Sequence, residues 1–165
     1  MLAAVKIMKF LAGLYVLSVL ALTMWPNLAH TDVPRWANEI IALAARFGIS
    51  VTFSFLEAIA NVFMFIPFGV FGVWLLGDWQ EVTHETGVIS RPSLVGVTAQ
   101  IVLVGAAFSA LIETTQLALP GRVTSFDDLW RNTLGALIGG TLCALVLAIR
   151  RRRHPLVIST RPYRA

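Results

Sequence analysis

Four long runs of nearly uninterrupted apolar residues leave this chain few ways to fold. They extend approximately over residues 7–25, 54–76, 94–117 and 129–149 of the 165-residue sequence. A helix crossing the hydrocarbon needs about 20 mostly apolar residues, because every backbone N–H and C=O must be satisfied there and a helix does so within one segment. The expected fold is an all-α membrane protein, a four-transmembrane-helix bundle. Composition agrees, with 57% hydrophobic and 13% charged residues, about half the charge of an ordinary soluble domain. Residues 1–150 are read as one transmembrane domain, and residues 151–165 as a basic cytoplasmic tail.

The first run follows Lys6 and Lys9 in the manner of a signal peptide. It is read as a retained span, because its apolar stretch is long and no small-x-small cleavage site precedes His30. Cys143 is the single cysteine, which excludes disulfides and cysteine-rich metal sites. His30, His84 and His154 lie in different loops without the i, i+4 partner of a helical metal site. No metal and no cofactor are expected.

Lys and Arg concentrate on the inner flanks of spans. Placing both termini in the cytoplasm puts Lys6, Lys9, Arg91, Arg150, Arg151, Arg152, Arg153, Arg161 and Arg164 inside, and leaves Arg35, Arg46, Arg122 and Arg131 outside. The arginine run after the fourth span fits a topology anchor against anionic lipid. No stacking-aromatic pattern accompanies it, so the lipid bilayer and not nucleic acid is the expected partner. Between the first two spans, Trp36, Ile40, Leu43 and Phe47 recur at helical spacing while Glu39 and Arg46 take the other side. That pattern predicts a short helix in the outer interface, with Asp32 placed to cap it and Pro34 suited to its first turn.

The span ends do not share the general greasiness. Around the Pro-Gly turn, IETTQLALPGRVTSFDDLWRN (Ile112 to Asn132) gathers three carboxylates, two arginines and several amides and hydroxyls. With the proposed topology the outer ends of spans two, three and four meet. Glu57 and Asn61 share one helical face, Glu113 and Gln116 another with Ser109 a turn below, and Asp128 and Asn132 a third. An acid inside a span is costly and marks a functional candidate. Glu113 is therefore expected at the heart of a polar site, with Asp128. The duller roles are also open. Thr124 with Asp127 and Ser125 with Asp128 are capping-box patterns. Gly135-x-x-x-Gly139 allows close helix approach, and Pro67 with Gly69 is expected to bend the second span. Arg122 and Arg131 are either interfacial snorkelling residues or ion-pair partners. Glu57, Glu113, Asp127 and Asp128 outnumber those two cations, so either a carboxyl is protonated or a cationic group binds.

Three blocks resemble the VanZ-like family of small bacterial integral membrane proteins: NVFMFIPFG from Asn61, SALIETTQ from Ser109, and GRVTSFDDLWRNTLGALIGG from Gly121. The resemblance places Asn61, Glu113, Gln116, Arg122, Asp127, Asp128 and Asn132 at the family's motif positions. Arg131 and Glu57 stand outside the pattern. The family is named for a teicoplanin-resistance protein, which implies a role at the cell envelope of a bacterial cytoplasmic (inner) membrane.

Three functions are compatible with such a cluster. The first is binding of a polar headgroup, a lipid-linked cell-wall precursor or a glycopeptide antibiotic at the outer leaflet. The second is a membrane-embedded hydrolase or transferase with Glu113 or Asp128 as general base and Arg122 steadying a developing anion. The third is a small dimeric proton-coupled transporter. Against the second, the chain has no G-x-S-x-G or H-E-x-x-H motif and no Cys-His pair suited to catalysis. Against the third, four spans is short and no internal repeat relates the halves.

Overall fold

The computed structural model describes residues 2–24, 34–77, 81–82, 89–118 and 126–153. The protein is all-α, with five helices among the described residues: α1 (Leu2–Met24), α2 (Arg35–Arg46), α3 (Phe53–Gly77), α4 (Leu94–Gln116) and α5 (Phe126–Arg153). All but α2 are long and apolar enough to cross a membrane. A two-residue antiparallel pair, Glu81–Val82 with Ile89–Ser90, stands in the α3–α4 connection. Nothing in the apolar pattern announces it.

Helix ends depart from the ends of the apolar runs in an informative way. α1 begins before Lys6, and α5 starts at Phe126 and continues through Arg153. Hydropathy marks the part of a helix that belongs in hydrocarbon. The helix itself continues where the residues suit it, and arginines in a last turn suit the negative end of the helix dipole.

Lipid tails are as apolar as leucine, so spans associate through close packing more than through a hydrophobic drive. The tightest contact joins α3 to α5. A Cβ on Gly135 falls on the Val62 carbonyl oxygen, one on Gly139 falls on that of Ile66, and one on Gly69 meets the Ala136 oxygen and Gly140 nitrogen. Gly135 and Gly139 thus sit at the crossing as the small-residue spacing predicts. Helix α3 continues through Pro67 over its whole length. α4 packs on both partners, and α1 leans on α3 and α4.

Two apolar clusters fill the interior. One gathers Val73, Val97, Ile101, Cys143 and Leu147, and the other Val19, Phe65 and Ile112 with Phe68 and Phe108 beside them. The rings of Phe68 and Phe108 stack at 5.7 Å.

α2 has the expected amphipathic face. Ala37 is fully buried while Trp36, Ile40, Leu43 and Phe47 are exposed. The small side of the helix therefore meets the bundle, and its large apolar side is left facing away, as a helix lying on a membrane surface requires. Pro34 stands at the N-cap position and not within the first turn. Its carbonyl accepts the Ala37 and Asn38 N–H groups at 2.8 and 3.1 Å. Asp32 lies outside the described residues.

At the end of the bundle where α3 finishes and α4 begins, Arg151 closes the structure. Its Nη1 donates to the Pro92 oxygen at 2.9 Å, and its Nη2 donates to the Gly77 oxygen. Gly77 is the last residue of α3, whose final carbonyls have no partner within the helix. Read from sequence as one of a row of topology anchors, Arg151 is also the clasp across three helix ends. Arg151→Ala is expected to destabilise the protein by about 1–3 kcal/mol, as for loss of charged hydrogen bonds to part-buried acceptors. Arg152→Ala, on an exposed neighbour, is expected to change little. Equilibrium unfolding in mixed micelles measures both.

Candidate functional site

At the opposite end, where α4 finishes and α5 begins, the polar residues of three helices meet. Asn61 lies about 12 Å along α3 from Phe53 at 1.5 Å per residue. Its Nδ2 donates to Asp128 Oδ1 at 2.6 Å. Arg131 Nη1 donates to the same oxygen at 3.1 Å, and Arg131 Nη2 lies 3.6 Å from Asp127 Oδ2. Spacings of three and four residues bring Arg131 over both acids. The two acids differ in setting: the Asp128 side chain is 25% exposed and that of Asp127 63%. Asp128 belongs to the α3–α5 contact. Asp127 belongs to the rim, where both acids also suit the positive end of the α5 dipole.

One turn deeper, Asn132 Nδ2 donates to Ser109 Oγ at 2.9 Å and so joins α5 to α4. Asn132 is 3% exposed and Ser109 fully buried. Asn132 Oδ1 is buried and has no hydrogen-bond partner among the described residues. A buried acceptor left unmet costs about 1–3 kcal/mol, so such an atom is a place for a donor. Glu113 stands half-buried on α4, one turn beyond Ser109 towards the end of the helix.

Not every candidate joins this group. Gln116 is buried, and its Nε2 donates to the Thr23 oxygen at 2.9 Å, which ties the last turn of α1 to that of α4. Glu57 is exposed one turn above Asn61. Arg122, Thr124 and Ser125 lie outside the described residues, so the capping-box readings and the second arginine fall there too.

α1 supplies two contacts that residue spacing does not reveal. One is the Thr23 carbonyl. The other is Tyr15, whose hydroxyl donates to the Met64 oxygen at 2.6 Å. Met64 is next to Phe63, whose carbonyl loses its helical donor to Pro67. Tyr15 stands in a run of apolar neighbours, and a polar tip in such a run was the one available signal.

These features define a small multi-pass membrane protein with a structured polar network inside one end of its bundle. The family model VanZ/LLP1 matches residues 11–147. The chain belongs to that family. The match begins within α1 and ends near the close of α5, so it takes in α3 and α4 whole, most of α1 and α5, and every site residue named above. Neither a curated protein nor a solved structure matches the chain.

Proposed function

We propose that this polar end faces the outside of a bacterial cytoplasmic membrane and binds a headgroup there. The ligand class is a polar lipid headgroup, a lipid-linked cell-wall precursor or a glycopeptide, the last giving a role in teicoplanin tolerance. The orientation follows from charge: Arg91 and Arg150 to Arg153 flank the other end and belong in the cytoplasm. Both termini lie there, with the basic tail against anionic lipid.

The observation that carries the reading is the unmet acceptor on Asn132. Its buried oxygen has no donor among the described residues, and Asp128 lies one turn above it, with Glu113 on the neighbouring helix. A ligand presenting N–H or O–H donors, or an ammonium group, meets what these residues offer. Asp128 Oδ1 already accepts from Asn61 and Arg131. Such a carboxylate is better placed to hold a recognition surface in shape than to remove a proton from a substrate.

The test is binding of teicoplanin, and separately of a lipid-linked precursor, to the purified protein in nanodiscs. Wild type is expected to bind one of them, and Glu113→Gln to bind it at least about tenfold more weakly, the loss of one charged hydrogen bond. Equal binding by both proteins, or none by wild type, counts against the proposal.

A further inference from the structure

The spans contain four amide side chains, Asn61, Gln100, Gln116 and Asn132. Three of them bond across helices, to Asp128, to the Thr23 carbonyl and to Ser109. Gln100 is exposed and has no hydrogen-bond partner among the described residues. It lies about 9 Å along α4 from Leu94 at 1.5 Å per residue. An amide at such a position in a span finds its partner on another helix.

Its neighbours on the same face show what kind of helix fits. The core side of α4 carries Val97, Ile101, Gly105, Ser109 and Ile112. The outward side carries Gly96, Gln100, Leu103, Ala107, Ala110 and Thr114. The first four and Thr114 are exposed, and Ala110 is half-buried. Their spacing alternates four and three residues throughout, the seam of a left-handed pair of helices. Glycine and alanine along it allow the two backbones to come close. A Cβ on Gly96 meets nothing nearer than the Ser93 Cβ at 3.7 Å, within its own turn, so the outward side is open.

We propose that this face of α4 pairs with the same face of a second copy of the chain. Copies inserted in one membrane share an orientation, so a two-fold axis along the membrane normal sets identical residues opposite each other at equal depth. Gln100 then faces the Gln100 of its twin. An amide carries both a donor and an acceptor, so two of them across a two-fold axis exchange reciprocal N–H···O bonds. A polar residue at a single seam position also fixes register and parallel orientation. Lipid offers neither the reciprocal bonds nor the small-residue fit. The face lies opposite the α4 side that holds Ser109, so pairing leaves the polar network of each copy in place.

The experiment uses the full chain in liposomes, with association read by energy transfer between labelled copies over a range of protein-to-lipid ratios. Wild type is expected to form dimers, and Gln100→Leu to raise the dimer dissociation constant about tenfold. In parallel, Leu103→Cys in a Cys143→Ala background is expected to form disulfide-linked dimers under mild oxidation. Phe63→Cys, on the exposed face of α3, is expected to stay monomeric. Association of Gln100→Leu equal to wild type, or cross-linking at Phe63→Cys as fast as at Leu103→Cys, overturns the proposal.

Discussion

Gly139→Leu is expected to abolish the folded protein, leaving little that elutes as a single species after extraction from the membrane. The added Cβ alone falls on the Ile66 carbonyl oxygen, with the Ile66 carbonyl carbon at 2.8 Å and its Cα at 3.1 Å. Those atoms are backbone inside a helix and cannot turn aside as a side chain can. α3 and α5 must separate, and the separation also opens the Asn61–Asp128 bond at the end of the same interface. Overpacking a core typically costs about 1–3 kcal/mol, and more where the obstacle cannot relax. The substitution on α1 is the matched control. Gly13 has nothing within 4 Å of an added Cβ, and alanine favours a helix over glycine by about 1 kcal/mol. Gly13→Ala is therefore expected to express and elute as wild type. Gly139→Ala is expected between the two, with lowered thermal stability in detergent. Wild-type behaviour of Gly139→Leu would show that the α3–α5 contact is looser than described.

The same crossing explains how much of the structure was legible in the sequence. Gly135 and Gly139 announce close approach by their spacing, and four apolar runs announce four spans, since each signal is local and periodic. The α2 helix was legible for the same reason: Trp36, Ile40, Leu43 and Phe47 fall on one face. The convergence of Asn61 with Asp128 was an inference from topology, and the geometry places the two in contact. Side chains that reach backbone of another segment were not legible. Gln116 ends on the carbonyl of Thr23, Tyr15 on that of Met64 and Arg151 on those of Gly77 and Pro92. A carbonyl belongs to every residue alike, so no residue type at the receiving end signals the contact. Arg131 was ambiguous for a different reason. An arginine near a span end serves equally well in the interface or over an acid, and only coordinates show it reaching both Asp127 and Asp128.

Arg131 and Asn61 converge on one carboxylate, and removing that carboxylate carries the second large effect. Asp128→Ala is expected to destabilise the protein by about 1–3 kcal/mol and to eliminate ligand retention. The structural part follows from what is left behind. Arg131, with a side chain 20% exposed, keeps Asp127 at 3.6 Å on the solvated rim, and rim ion pairs of this kind contribute little. The Asn61 amide loses its acceptor inside the α3–α5 contact, and an unmet donor there costs its desolvation. A double-mutant cycle separates the terms. Asn61→Ala with Asp128→Ala is expected to give a coupling of about 1.5–3 kcal/mol, the range for hydrogen bonds to charged groups, whereas Asp127→Ala with Asp128→Ala is expected to couple less, through their shared partner Arg131 on the solvated rim. The recognition part is isolated by Asp128→Asn, which keeps the shape and one acceptor oxygen for Asn61 but removes the charge. If the carboxylate helps to hold a cationic or donor-rich headgroup, Asp128→Asn stays folded at wild-type abundance in the membrane, loses binding, and loses any glycopeptide tolerance the wild-type protein confers. Binding retained in a stably folded Asp128→Asn would assign Asp128 to architecture alone and leave recognition to Glu113 and Asn132.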